Sequence, residues 1–199
     1  MAIPNSLVWH FSKTESFSVR SAYNVSVELA HKDIRACSRG LGEVPRGGWD
    51  FIWKQKLSGK VKVFAWRLCK QALPTGLNLK RRHLQLQCSC SHCFVEEEDS
   101  KHSMLDYDFA RQTWALSNLP WNVVSVWGDC AESWVHYLHR NLEAWEYRFA
   151  LMVAWRLCYC RNKCLMEESR SSPGEVVTTC TSYLLSFDAA FPANNSVED

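Results

Sequence analysis

Apolar residues recur at helical spacing along most of the chain beyond residue 49. Val61, Ala65 and Leu68 form one stripe, which predicts a helix over residues 58–73 that Pro74 ends. The basic residues of this segment lie on another part of its circumference and can face solvent together. Comparable spacing predicts further helices over residues 21–31, 49–57, 75–82, 107–116, 131–142, 143–168 and 175–187, the last of them after a break at Pro173-Gly174.

The N-terminal region has a different pattern. Residues 8–11 and 16–19 are short β-prone pieces around a turn-like segment, and they predict a small hairpin. Residues 37–48 are rich in glycine and predict a loop. Because the chain shows no internal repeat and no alternation of strands and helices, the pattern favours a mainly α fold over a parallel sheet.

Composition narrows the class of protein. Apolar residues make up 47% and charged residues 22% of the 199 residues, which excludes a disordered chain, collagen and a coiled coil. No apolar stretch reaches the ~18–20 residues that a bilayer span needs, and the N-terminus lacks the pattern of a signal peptide. We therefore expect no membrane association and an intracellular protein, nuclear or cytoplasmic and not secreted. In that reducing compartment the ten cysteines are expected to be thiols or metal ligands.

Positive charge is concentrated in one segment, although the net charge is only +2. No acidic residue occurs between Asp50 and Glu96, and the rest of the chain has a formal excess of negative charge. This segment predicts either a surface that binds RNA or DNA, or a solvated helix face. Its nine basic residues are Lys54, Lys56, Lys60, Lys62, Arg67, Lys70, Lys80, Arg81 and Arg82.

Cysteine and histidine cluster in the segment that follows. Cys90 and Cys93 have the C-x2-C spacing that lets two thiolates meet one tetrahedral Zn²⁺, and His102 can return an imidazole to it. A closed site needs a fourth ligand, for which Cys88, His92, Asp106, Asp108 or a water is available. The alternative is that these residues are ordinary reduced thiols. Cys158, Cys160 and Cys164 fall at helical spacing and are expected in the core.

The sequence lacks several common motifs of catalytic sites. The sequence contains no Tyr-x-Asp-Asp of a polymerase, no phosphate-binding loop, no Gly-x-Ser-x-Gly and no His-Glu-x2-His. Polymerases and ribonucleases H need several converging carboxylates, whereas the acidic residues 96–99 predict a solvated loop. We therefore expect no enzyme activity.

Several short sequence segments, taken together, resemble the reverse transcriptase zinc-binding domain of plant LINE-type (non-LTR) retrotransposons. They cover about the first 115 residues in the order and spacing of that family. The segments are Phe17-Ser18-Val19-Arg20-Ser21-Ala22-Tyr23, Trp53-Lys54, Lys60-Val61-Lys62-Val63-Phe64-Ala65-Trp66-Arg67, Ala72-Leu73-Pro74-Thr75, Asn78-Leu79 with Arg82, Cys90-x2-Cys93, His102, and Phe109-Ala110-Arg111-x2-Trp114.

The resemblance implies a small helical domain over residues 1–118, with a short N-terminal β-hairpin and a zinc-knuckle-like loop. Residues 119–199 then resemble the helical connector that precedes a ribonuclease H domain. By position, Cys90, Cys93 and His102 match the family's zinc ligands. The family's last cysteine is replaced by Tyr107, which is a poor ligand for Zn²⁺ at neutral pH, so Cys88 is the candidate substitute.

Two hypotheses about function follow. The first is a non-catalytic nucleic-acid-binding module derived from a retrotransposon polyprotein, with Zn²⁺ as its cofactor and with tryptophans such as Trp53 and Trp66 available for base stacking. The second is a degenerate helical remnant without metal and with at most a protein-interaction role. A chain that starts at its own Met and stops before any ribonuclease H sequence favours a fragment. In either case we expect the helices to fold without the metal.

Overall fold

The computed structural model of the chain describes residues 49–84, 90, 93, 97–167 and 171–192. Over these ranges the chain is mostly helical and contains no β-strand. The mainly α prediction is confirmed for this part of the chain. The predicted hairpin over residues 8–19 and the predicted helix over residues 21–31 lie outside the described residues, so both stay predictions.

The described ranges contain eight α-helices and one π-helical segment. The π-helical segment precedes α4. In chain order the elements are α1 (Asp50–Trp53), α2 (Gly59–Cys69), α3 (Gly76–Arg81), the π segment (His102–Asp106), α4 (Asp108–Leu116), α5 (Trp121–Val124), α6 (Ala131–Asn141), α7 (Ala144–Glu167) and α8 (Pro173–Ala190).

Local sequence chemistry explains most of the helix ends. Thr75 caps α3 as predicted, because its hydroxyl accepts a hydrogen bond from the backbone N–H of Asn78 at 3.4 Å. The predicted separation of two helices in this region is confirmed, but α8 begins at Pro173 and not at residue 175, so Pro173 and Gly174 belong to its first turn. Proline suits the first helical position because its missing N–H would have no partner there. Ser172 and Glu175 complete a reciprocal capping box around it.

The long helix α7 organises the core. It packs against α2, α6, α8 and the π segment, and α8 also packs against α4. Its buried face includes Phe149, Met152, Val153 and Leu157. Helices of the predicted connector thus share one apolar cluster with helices of the predicted zinc-binding domain. The division of the chain at residue 118 stays a prediction.

Tryptophans supply the centre of this core. Trp134 stacks on Trp127 with ring centroids 5.0 Å apart and meets the edge of Trp114 at 6.3 Å. Both buried indoles have satisfied N–H groups: Trp114 donates to the Met104 carbonyl at 2.7 Å and Trp134 to the Val124 carbonyl at 2.8 Å. A buried indole that keeps its hydrogen bond fixes the segment that accepts it. Trp114 therefore ties α4 to the π segment.

Within the described residues, no helix is both long enough and apolar enough to cross a membrane.

Replacement of Ser172 by alanine removes the hydroxyl that caps α8. We expect Ser172→Ala to lower the free energy of unfolding by about 1 kcal/mol, because a lost N-cap leaves a backbone N–H without its acceptor. Ser182→Ala, at an exposed position inside α8, is the matched control and should be neutral or slightly stabilising. Urea denaturation measures both, and equal destabilisation by the two changes would contradict the capping role.

Candidate metal centre and basic face

Three of the predicted zinc ligands come together in the structure. The Sγ atoms of Cys90 and Cys93 and a ring nitrogen of His102 all lie within 4.8 Å of one another. The Sγ of Cys93 lies 3.4 Å from Nε2 of His102. Cys90 and His102 are buried and Cys93 is half-buried. This group of three is called the ligand triad below.

The triad has the chemistry and the size of a zinc site. Two sulfurs and one imidazole nitrogen are a donor set that Zn²⁺ prefers. Zinc–ligand bonds of about 2.0–2.3 Å in a tetrahedron place neighbouring donors about 3.5–3.8 Å apart, close to the separation of Cys93 and His102. The residues present therefore fit a zinc ion. A structural zinc would cross-link the segment of Cys90 and Cys93 to that of His102.

Hydrogen bonds at the start of the π segment hold the backbone that carries the His102 side chain. The Asp99 carboxylate accepts a 2.6 Å hydrogen bond from the backbone N–H of His102, and the Ser103 hydroxyl donates to the Asp99 carbonyl at 2.8 Å. His102 itself begins the π segment, a wide turn that often occurs at functional sites. The sequence pattern did not predict this turn.

A buried ion pair anchors the same segment to α7. The guanidinium of Arg161 makes a bidentate contact with the carboxylate of Glu98. Arg161 is 9% exposed and Glu98 is 2% exposed. Glu98 also accepts a hydrogen bond from the backbone N–H of Gly76 at 3.1 Å, and Arg161 donates to the Pro74 carbonyl at 3.2 Å. One ion pair thus joins α7, the start of α3 and the chain four residues before His102. The expectation that residues 96–99 form a solvated loop is wrong at Glu98.

Tyr107 occupies the place of the family's last cysteine and is buried. Burial raises the pKa of its phenol, and the nearby thiols of Cys160 and Cys90 raise that pKa further. The ring lies 6.2 Å from that of His102 and stacks on Phe109 at 6.1 Å. Because its ring is buried next to those of His102 and Phe109, Tyr107 packs beside the triad.

A cavity of about 260 Å³ adjoins the triad. Its lining includes Cys93, Tyr107 and Phe109, together with Cys160, Arg161 and Cys164 of α7. Cys160 is buried, as expected, whereas Cys158 and Cys164 are half-buried. Burial raises the pKa of Cys158 to about 11.

Among the described residues, neither of the two carboxylates considered for the fourth position joins the triad. Cys88 and His92 lie outside the described residues, so their part in a site stays a prediction. Asp106 forms an ion pair with Lys101 at 3.1 Å, and Asp108 is exposed at the start of α4.

Five of the residues of α2 and its C-cap form one solvent-facing surface. Lys62, Trp66 and Lys70 follow each other at intervals of four residues, and Val63 and Arg67 lie in the next row. The opposite side of α2 is buried against the core. We call these five residues the α2 basic face.

The ring of Trp53 and the helix α3 extend this face. Trp66 and Trp53 are 36% and 44% exposed, and the Lys62 ammonium donates to the Trp53 carbonyl at 2.8 Å. Arg81 of α3 donates to the side chain of Gln71, next to Lys70, at 2.8 Å. Lys80, Arg81 and Arg82 are exposed at the end of α3.

Lys70, whose ammonium lies 4.5 Å above the Trp49 ring, and four other predicted cations also contact groups of the protein itself. Lys54 pairs with Asp50 at 2.7 Å, and Lys80 pairs with Glu97 at 3.2 Å. Lys56 lies 3.2 Å from Asp188, and Lys60 lies over the rings of Trp155 and Tyr183 at 4.9 and 5.3 Å.

Asp188 shows how strongly Lys56 is engaged within the protein. Arg148 makes a two-pronged hydrogen bond to the Asp188 carboxylate. Arg148, and after it Lys56, lower the pKa of Asp188 to about 2. The structure thus brings Lys62, Arg67, Lys70 and Arg81 into one region and places Lys56 on the side of α7 and α8.

Sequence reasoning missed Glu98 and Arg161 as residues that hold the site. The run of acidic residues before His102 gave no sign that one member is buried. Arg161 lies on a helix with a clear apolar face, where an arginine is ordinarily placed in solvent. The available signal was its place in the apolar row of α7, four residues after Leu157 and eight after Val153.

Comparisons with known proteins agree with this geometry. Residues 17–114 match the family described as zinc-binding in reverse transcriptase. An Arabidopsis thaliana protein named "Putative ribonuclease H protein" is 32% identical over 104 residues, which are 50% of this chain and 15% of that protein. No solved structure matches the chain. The resemblance to the plant retrotransposon domain is confirmed, and the matched family is a zinc-binding and not a catalytic one.

Loss of the buried ion pair should weaken the whole fold. We expect Arg161→Met to lower the free energy of unfolding by about 3–5 kcal/mol, because it leaves the Glu98 carboxylate buried without its partner. The matched control is Lys163→Met on the same helix, which removes only a long, half-exposed contact to Glu167 and should cost under about 0.5 kcal/mol. Urea denaturation in the presence of a chelator measures both without a contribution from metal. Similar losses in the two variants would contradict the anchoring role of Arg161.

Proposed function

We propose that the chain is a non-catalytic nucleic-acid-binding module derived from a retrotransposon reverse transcriptase polyprotein, with Zn²⁺ bound by Cys90, Cys93 and His102. The observation that carries the proposal is the ligand triad itself, with its donor atoms within 4.8 Å of one another, inside a region that matches the zinc-binding family. Cys88 stays a candidate for the remaining coordination position.

The zinc ion would have a structural role. Its chemistry is to hold two thiolates and one imidazole together, which closes the loop between Cys90 and His102. The apolar cluster of α2, α4, α6, α7 and α8 does not depend on these ligands for its packing. We therefore propose that the helical core folds with or without metal, and that zinc cross-links Cys90 and Cys93 to the π segment that begins at His102.

The α2 basic face would bind the nucleic acid. Lys62, Arg67 and Lys70 can neutralise backbone phosphates, and Arg81 and Arg82 extend this charge along α3. Trp53 and Trp66 offer exposed ring surface beside these cations, which suits stacking on unpaired bases. Cations interleaved with rings favour a single strand over a duplex.

A degenerate remnant with at most a protein-interaction role is the alternative. Two observations favour it: Tyr107 stands where the family has a cysteine, and several of the predicted cations contact acidic or aromatic groups of the chain itself. The two proposals differ in metal content and in the salt dependence of binding.

Zinc content tests the metal part of the proposal. We expect about one equivalent of zinc in the purified wild type and none in Cys90→Ser, because a site that loses one of its thiolates loses most of its affinity. Metal analysis after dialysis against a weak chelator measures this. The matched control is Cys130→Ser, since Cys130 is also buried but precedes α6, outside the ligand triad, and should leave the zinc content unchanged.

Two results would contradict this part of the proposal. Wild-type protein without zinc would favour the remnant, and equal zinc in wild type and Cys90→Ser would place the metal elsewhere. Collapse of the far-ultraviolet circular dichroism signal on chelation would contradict a helical core that folds without metal.

Salt dependence of binding tests the nucleic-acid part. We expect the wild type to bind single-stranded RNA with a linear dependence of log K on log salt. The double variant Arg67→Gln, Lys70→Gln should reduce that slope by about 1.4, since each phosphate contact on a single strand contributes about 0.7. Fluorescence anisotropy at several salt concentrations gives both slopes.

Lys163→Gln, on α7 and away from the α2 basic face, is the control and should keep the wild-type slope. Weak binding that never saturates would support the remnant. An unchanged slope in the double variant would show that nucleic acid binds another surface.

A further inference from the structure

The α2 basic face borders two aromatic rings that belong to other helices. Lys60, Val63 and Arg67 follow each other at intervals of three and four residues, so Lys60 lies one turn before Val63 in the same row. The Lys60 ammonium lies 4.9 Å from the centroid of the Trp155 ring on α7 and 5.3 Å from that of the Tyr183 ring on α8. The outer row of α2 therefore continues onto α7 and α8.

No acidic group cancels the charge of Lys60. Lys54 and Lys56 form ion pairs with Asp50 and Asp188, whereas in the part of the chain that the structure describes no carboxylate pairs with Lys60. An aromatic ring is neutral overall, so a cation over its face keeps its charge for a further partner. The Lys60 side chain is exposed, and it can contact a phosphate while it lies beside the rings.

Rings and cations alternate further along α7. The Trp155 and Tyr159 rings are one helical turn apart, with centroids separated by 6.1 Å, and the Arg156 guanidinium lies 4.6 Å from the centroid of Tyr159. Tyr159 is 43% exposed, and the Trp155 and Tyr183 rings are half-buried. We call Lys60, Trp155, Arg156, Tyr159 and Tyr183 the α7–α8 aromatic surface.

We propose that a single-stranded nucleic acid bound to the α2 basic face continues onto the α7–α8 aromatic surface, where Lys60 and Arg156 hold phosphates and the Tyr159 ring stacks on an unpaired base. This inference rests on the proposed nucleic-acid binding. It extends the binding surface beyond the matched family region, which ends at residue 114.

Charge and ring chemistry select this occupant. Lys60 and Arg156 both lie over rings, which is the combination of phosphate contact and stacking surface that single-strand binding proteins use. On the same two helices, Arg148 and Lys56 share the single carboxylate of Asp188, so that group also carries one net positive charge. A polyanion with unpaired bases matches both features, whereas the paired bases of a duplex offer no free face to Tyr159.

Removal of the Tyr159 ring tests the stacking contact. We expect Tyr159→Ala to weaken binding of a fluorescein-labelled single-stranded RNA about tenfold, as the loss of one stacking ring does elsewhere. The slope of log K against log salt should stay at the wild-type value, because no charge is removed. Tyr159→Phe keeps the ring and should bind as the wild type does. Fluorescence anisotropy at several salt concentrations measures affinity and slope together.

A matched ring elsewhere serves as the control. Trp121 is 46% exposed on α5, which packs against α4 and α6, and Trp121→Ala should keep the wild-type affinity. For the charge, Lys60→Gln should lower the slope by about 0.7, the contribution of one phosphate contact on a single strand. Circular dichroism checks that each variant is folded, and Tyr159→Leu replaces Tyr159→Ala if the latter is not.

The outcomes separate this inference from the proposed function. Wild-type affinity after loss of the Tyr159 ring would overturn the continuation onto α7, and so would an equal loss in Tyr159→Phe or in Trp121→Ala. An unchanged slope in Lys60→Gln would also overturn it. If the double variant Arg67→Gln, Lys70→Gln still lowered the slope in those cases, nucleic-acid binding by the α2 basic face would stand. A wild type that bound no RNA at saturation would overturn both.

Discussion

The contact between Arg161 and Glu98 is the constraint on which the site depends. Both groups are almost fully removed from water, so each would carry a large desolvation penalty without the other. Backbone groups of Pro74 and Gly76 occupy their remaining hydrogen-bonding positions. The pair therefore holds three pieces of chain in one arrangement: the long helix α7, the start of α3, and the segment that leads into His102. The ligand triad is assembled on that support.

Different kinds of contact stabilise the helical core and hold the segment that carries His102 of the ligand triad. An apolar cluster rich in tryptophan gives the helices their stability, and the indole N–H of Trp114 connects that cluster to the π segment. Polar contacts from Arg161 and Asp99 then position the segment that leads into His102. The α2 basic face lies on the outer side of a helix whose inner side belongs to the core, so substitutions on this face should leave the fold largely undisturbed.

The sequence predicted the elements that depend on local rules and missed those that depend on distant partners. Thr75 was recognisable as a helix cap, and the spacing of Cys90, Cys93 and His102 indicated a site that the structure does assemble. Glu98 could not be distinguished from its solvated neighbours, because its partner is 63 residues away. The nine cations were predicted as one group, whereas the fold directs some of them to Asp188 and to aromatic rings.

X-ray absorption at the zinc edge of the wild-type protein tests the central claim most directly, because it reads the atoms bound to the metal. The account predicts a four-coordinate shell with at least two sulfurs at about 2.3 Å and an imidazole nitrogen at about 2.0 Å. A shell made mainly of oxygen and nitrogen, with fewer than two sulfurs, would show that the metal is bound away from Cys90 and Cys93 and would contradict the account.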